Sequence, residues 1–358
     1  MDIIKATKAY EAWLRGRIPL LEPDLRRKHE RMAESAFPFL RATFYRWAQV
    51  WPRVCPELAA APAVLGVGDL HVENFGTWRD REGRLIWGVN DFDEAAPIPY
   101  ANDLVRLAVS ARLAIAENHL ASDPSGACDA ILAGYREAFE RGGAPFVLAE
   151  QHRALRDMAL SELRDPALFW QKFDQLPTVR AGLPGPVKAA LAARLPEGGL
   201  PFRVVHRQAG LGSLGRRRFT ALAHWRGGWI AREAKELVVS AWHWEKEDRG
   251  DERILYRQAI DQAVRVADPF LAVRGRWLLR RLAPDCSRIE LGSLPKAKDE
   301  LKLLHAMGWE TANIHLGVRA AAGRVRQDLN RRPAKWLRQA SEAMAEATLA
   351  DWKEWAGA

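Results

Sequence analysis

Cysteine is scarce in this sequence. Cys55, Cys128 and Cys286 are scattered singly over 358 positions, without the paired spacings of a zinc site or the even count of a disulfide framework. They are expected to be ordinary core or surface thiols. Long hydrophobic runs are missing too. No stretch of about 20 apolar residues could span a bilayer, and no apolar segment of the secretory type follows the opening MDIIKATKAY, so a cytoplasmic location without membrane contact is expected. No internal repeat or low-complexity segment is visible. Acids are the minority charge, 45 Asp and Glu against 54 Lys and Arg, a formal net charge of +9. That balance favours an anionic ligand, whether a nucleotide, a phosphorylated metabolite or nucleic acid, and cannot choose among them. Nucleic acid is disfavoured because few of the fifteen tryptophans fall beside basic residues, as a base-stacking surface requires.

What remains is a globular composition, 48% hydrophobic and 28% charged, in a chain long enough for two or more structural units. Residues 24–50 carry helical apolar spacing interrupted by Pro38, which predicts two short helices. AVLGVG (63–68) and RLIWGVN (84–90) read as strands joined into a hairpin through RDREG (79–83). A helix follows from Asn102, the expected cap, with Asp103 in its first turn. Residues 125–195 read as helices, and the Gly- and Pro-rich 181–201 marks a boundary near 200. Beyond it FRVVHRQ, RRFTALAHW and GWIAREAKEL read as strands, followed by a helix over 252–267, a strand at WLLRRL (277–282) and a helical remainder.

The chemistry is concentrated in GDLHVEN (68–74) and NDFDEA (90–95). A hairpin would bring Asp69, Asn74 and Asp91 to one end, with Glu73, Asp93 and Glu94 close by. A hard cation such as magnesium takes carboxylate and amide oxygens, few of them from protein, with substrate phosphates completing its shell. A loop aspartate that does not bind the metal can accept a proton from a hydroxyl. One loop aspartate alone most often caps a turn; four such residues at this spacing are not needed for capping. His71 completes a D-x-H, which also begins two-metal phosphatase sites, but the rest of that pattern is missing. His71 is therefore read as anchoring the loop backbone.

Gly210, Gly212 and Gly215, with Ser213 between them, form G-L-G-S-L-G. The alternation of RRRFTALAHW makes the following element a strand rather than the helix of a dinucleotide fold, so the loop belongs to a hairpin whose amides can lie over phosphates. Lys235 ends the next strand. Glu245, Glu252 and Glu236 are candidates to hold it, and Arg253 and Gln258 are candidates for the nucleotide side.

GDLHVEN followed by a strand and NDFDEA resembles the catalytic and metal loops of the aminoglycoside phosphotransferase and choline kinase relatives of protein kinases. The resemblance implies Asp69 as catalytic base, Asn74 and Asp91 as magnesium ligands with Asp93 in support, and ATP over the glycine loop and Lys235. The order is reversed, with the metal loops preceding the glycine loop. The whole chain resembles a bacterial family, domain-of-unknown-function family 2252, that shows this order. The segments that carry it include RMAESAFPFLR, GDLHVENFG, NDFDEA, GLGSLGRRR, KELVVS, LLRRL and GWETANIHLG. Arg257 and the stretch after Lys235 depart from the pattern. What this implies is an α+β, kinase-like two-lobed fold, circularly permuted, with a small antiparallel sheet lobe over 201–285. A helical segment at 1–62, the loops and helices of 63–200, and C-terminal helices over 286–358 would form the remainder. Arg41 and Arg280 would approach phosphates or brace the lobes. The expected activity is transfer of phosphate from magnesium-ATP to a hydroxyl of an unidentified acceptor. A nucleotide-binding scaffold and an adenylyltransferase are the alternatives.

Overall fold

The structure, a computed structural model, describes residues 1–161, 165–245, 253–286 and 297–358. It is α+β, mostly helical, with three small antiparallel sheets among the described residues. No described helix is long and apolar enough to cross a membrane.

The chain opens with α1 (Ile3–Arg15), α2 (Glu22–Glu34), α3 (Ala36–Ala42), α4 (Phe44–Val54) and α5 (Pro56–Ala59). Residues 24–50 therefore make three helices where two were expected. The breaks fall at Ser35, which is extended, and at Thr43. Pro38 sits in the first turn of α3, where backbone N–H groups have no intrahelical partner to lose.

Strands β1 (Ala63–Gly66), β2 (Phe75–Arg79), β3 (Leu85–Val89) and β4 (Ala96–Pro99) correct the expected hairpin. The strand at 84–90 pairs with β2, not with 63–68, and β1 pairs with β4. Asp80 closes the β2–β3 turn by accepting the Glu82 and Arg84 N–H groups. The registers explain where the acidic loops go. Gly66 lies opposite Ala96 and Phe75 opposite Val89, so the β1–β2 and β3–β4 connections emerge at the same end.

Helix α6 (Tyr100–Ala116) follows, apolar on nearly every side and buried accordingly. Asn102 is inside it rather than capping it, and accepts the Trp47 indole N–H at 2.8 Å. Asp103 does more than favour the helix start. Its carboxylate accepts the Val67 and Gly68 N–H groups at 2.6 and 3.0 Å and is 3.0 Å from His315 Nε2. Helix α6 thus carries the loop that leaves β1.

Next come α7 (Pro124–Arg141), β5 (Phe146–Val147), which pairs with β3, then α8 (Arg153–Ser161), α9 (Pro166–Asp174) and α10 (Gly185–Ala192). The five-stranded sheet is built from β6 (Arg203–His206), β7 (Arg218–Trp225), β8 (Gly228–Glu236), β9 (Ala272–Arg274) and β10 (Trp277–Leu282), in the order β6-β7-β8-β10-β9. Helices α9 and α10, which precede the boundary drawn near 200, cover its two faces. Phe169 and Phe173 of α9 pack on Val205, Leu222 and Ala231, and Val187 and Leu191 of α10 pack on Phe219, Ala234 and Leu279. Between β8 and β9 lie α11 (Trp242–Glu245) and α12 (Tyr256–Gln262); α13 (Ala297–His315), α14 (Arg319–Arg331) and α15 (Trp336–Ala356) complete the chain. One large core joins α1–α7 and α13–α15 with β1–β5.

Candidate functional site

A cavity of about 850 Å³ separates the five-stranded sheet from the β1–β4 loops. Asp69, His71, Asn74, Asp91, Asp93, Gly210, Gly212, Ser213 and Arg280 all line it. The two motif regions, far apart in sequence, therefore face one space.

Lys235 bridges them. It is on β8, the third strand of the sheet, and is almost wholly buried, with Nζ 3.0 Å from Asp91 Oδ2 and 2.6 Å from Asp93 Oδ2. No helix glutamate holds it among the described residues. Glu236 instead pairs with Arg217 at 2.7 Å; the Glu245 side chain and Glu252 lie outside the described residues. Arg253 and Gln258 are exposed and do not line the cavity, a correction to their expected place beside the nucleotide. Tyr256 is the residue of α12 that does.

Asp69 is held by a residue the motifs did not single out. Arg106, fully buried in α6, donates through Nε (3.0 Å) and Nη2 to Asp69 Oδ1, and through Nη2 to the Leu40 carbonyl at 2.8 Å. Its guanidinium also lies over the rings of Phe44 and Trp47. Burial pushes the Asp69 carboxyl up against the pull of Arg106. The signal was legible as the one basic residue of DLVRLAVS (103–110), set between apolar neighbours. Oδ2 of Asp69 is turned to the glycine turn: a Cβ on Gly212 would lie 3.2 Å from it and 3.0 Å from the Arg41 carbonyl. Gly68, at φ +80°, is fixed more strictly, since a Cβ there would come within 2.3 Å of the Glu94 carbonyl.

The remaining acidic residues are divided by partner. His71 Nδ1 accepts the Glu73 N–H at 3.2 Å, the backbone anchoring expected of it. Glu73 pairs with Arg41 at 2.6 Å, so Arg41 braces the loop. Glu94 accepts Arg216 at 3.0 Å and the Ala241 N–H at 2.6 Å. Arg216 also reaches Asp93 at 3.4 Å and so ties the end of the glycine turn to the β3–β4 loop. The Asp91 and Asp93 carboxylates repel across Lys235: burial and the Asp91 charge push Asp93 up, while Lys235 holds Asp91 well below the usual range against its own burial.

The oxygens that suit a hard cation are specific ones. Asn74 spends its amide NH2 on the Asp69 carbonyl at 2.6 Å, which leaves Oδ1 as its acceptor. Asp93 Oδ1 is buried without a hydrogen-bond partner. Among the described residues no group of three or more His, Cys, Asp or Glu side chains forms a ready metal cage.

The glycine turn, Gly210 to Gly215, connects β6 to β7 around a 3-10 turn at Leu211–Ser213. Helix α2 grips it. The Leu21 N–H donates to the Gly215 carbonyl (2.8 Å), Lys28 Nζ donates to the Gly212 carbonyl (3.3 Å), and Asp24 takes His206 (2.9 Å) and Gln208 (2.6 Å). Burial and the nearby Arg216 draw Lys28 down to about 8. Arg280 makes its ion pair elsewhere. It pairs with Glu233 at 2.7 Å, as do Arg207 and Arg218. In all, ten Lys and Arg side chains line the cavity against six Asp and Glu.

Residues 20–165 match the family described as "Uncharacterized protein conserved in bacteria (DUF2252)". The match takes in the β1–β4 loops and α6 and ends before the five-stranded sheet. No curated protein and no solved structure matches the chain.

Proposed function

We propose that this protein is a magnesium-ATP-dependent phosphotransferase acting on a hydroxyl group, with a kinase-like two-lobed arrangement in permuted order. The observation that carries the reading is the meeting of Lys235 with Asp91 and Asp93 beneath a glycine turn whose Gly212 faces Asp69. A glycine-rich turn between two strands and a lysine on the third strand are the parts a kinase uses on ATP phosphates.

Asp69 accepts the proton of the attacking hydroxyl at Oδ2, since Oδ1 is held by Arg106. Arg106 fixes the carboxylate and is a positioning residue. The amides of 210–215 and Lys235 hold phosphate oxygens, and the cavity walls bring donor and acceptor together. Asp91, with Asp93 Oδ1 and Asn74 Oδ1, would hold magnesium, which supplies neutralisation of phosphate charge. The basic excess in the lining opposes a cationic acceptor, so aminoglycosides and amino alcohols fit this cavity less well than neutral or acidic hydroxyl compounds.

The test is ATP consumption by the whole protein with mixed candidate acceptors, compared with Asp69→Asn and Asp91→Asn. Loss of about 10²-fold or more in both is expected; unchanged turnover in both removes the assignment. Labelling the α- and γ-phosphates separately shows which group reaches the product, and AMP there would make the protein an adenylyltransferase. Binding of ATP without turnover would leave a scaffold.

A further inference from the structure

Under the sheet, on the face turned to the cavity, one carboxylate holds three guanidinium groups. Glu233, with no exposed surface, accepts Arg207 (2.9 and 2.7 Å) at Oε2, and Arg218 (2.7 Å) and Arg280 (2.9 and 2.7 Å) at Oε1. The strand register brings them together: Thr220 and Arg280 are the cross-strand partners of Glu233, and Arg218 lies opposite Lys235.

One negative charge cannot balance three positive ones. Among the described residues the other nearby carboxylates do not pair with this cluster: Asp91, Asp93 and Glu94 are engaged by Lys235 and Arg216, and Asp268 accepts the Phe270 N–H. A buried cation excess costs free energy unless a ligand offsets it, and folded chains carry such groups chiefly at functional sites. Arg207 shows the strain of this crowding: burial draws it down to about 10, the Arg218 and Arg280 charges adding to the effect and Glu233 opposing it. Arg218 is buried and its second arm donates to Ser213 Oγ of the glycine turn at 3.2 Å. Arg207 and Arg280 retain about a quarter of their side-chain surface, 24% and 22%, at the cavity wall. Arginine forks held by a shared carboxylate are preorganised to meet phosphate oxygens, which lysine cannot do bidentately.

We propose that Arg207 and Arg280, splayed from Glu233 and braced by Arg218, form a polyphosphate-binding site on the sheet side of the cavity. On the phosphotransferase reading, on which the naming of its natural ligand rests, the site grips the phosphate chain of the nucleotide from the sheet side, alongside the glycine turn and Lys235.

The experiment is calorimetric titration of the full chain with inorganic tripolyphosphate, and separately with magnesium-ATP and adenosine. It compares wild type, Arg207→Gln, Arg280→Gln and, as a control for general basicity, the exposed Arg319→Gln, with far-ultraviolet dichroism and thermal midpoints to verify folding. Tripolyphosphate should bind the wild type and Arg319→Gln alike, and about tenfold or more weaker to each cavity variant; Arg280→Lys, which keeps the charge and loses the fork, should recover only part. The proposal is overturned if wild type does not bind tripolyphosphate, or if folded Arg207→Gln and Arg280→Gln bind it as wild type does. Arginine-dependent tripolyphosphate binding without any ATP turnover would uphold the site and remove the phosphotransferase reading. Turnover that needs Asp69 yet ignores both arginines would do the reverse.

Discussion

Lys235 and Asp91, 144 residues apart in the chain, meet at 3.0 Å. Asp93 shares the same ammonium at 2.6 Å, so a single buried cation holds together two carboxylates that would otherwise repel. Removing it by Lys235→Met should cost about 3 kcal/mol of unfolding free energy, the usual scale for breaking a buried pair. Adding Asp93→Asn to that variant should restore at least about 1 kcal/mol, because one of the stranded charges is gone. Urea unfolding of both variants measures this, and a double variant no more stable than the single one contradicts the shared-cation arrangement.

Arg106 serves Asp69 Oδ1 and the Leu40 carbonyl at once through its planar fork. Lysine keeps the charge but cannot reach both acceptors, so Arg106→Lys should lose about 2 kcal/mol, a hydrogen bond to a charged group plus an orphaned carbonyl. An unchanged urea midpoint would show that the fork does not matter.

Gly68 combines a positive φ with the Glu94 carbonyl against its α-carbon. Gly68→Ala must accept left-handed backbone strain and push the two acidic loops apart, for roughly 2–4 kcal/mol. Gly83, also at positive φ but with open space around it, should lose only about 1 kcal/mol on the same change. Equal losses at the two glycines would mean that the loops are not in contact.

Glu310 accepts the Val89 N–H at 3.2 Å, at the end of β3, and the Asn313 amide at 2.8 Å. Its burial pushes the carboxyl from an ordinary 4.5 up to about 7, with Arg265 pulling the other way. The native state therefore keeps a proton that the unfolded chain has released, so this residue's contribution is fully present below pH 4.5 and is lost as pH rises through about 7. The loss is on the order of 3 kcal/mol at most. Unfolding free energies measured from pH 4.5 to 8 should show a decline in wild type that is flattened in Glu310→Gln; parallel curves would rule out a buried neutral Glu310.

The local patterns were written in the sequence because each depends on residues a few positions apart. The spacing of Asp69 and Asn74 in one loop, the acids of NDFDEA, the glycines of 210–215 and the strand carrying Lys235 follow from turn chemistry and alternation; the two acidic loops and the glycine turn line one cavity, and Lys235 reaches it through Asp91 and Asp93. The α+β class was legible for the same reason. Strand partners were not, because an apolar run such as 63–68 is compatible with several neighbours; in the structure it pairs with β4, and both strands pack on α6. The cations were not legible either. Which arginine meets Asp69, Asp93 or Glu233 depends on helices and strands that approach from distant parts of the chain, and a basic sequence offers many candidates of equal standing until burial selects the few that must be paired.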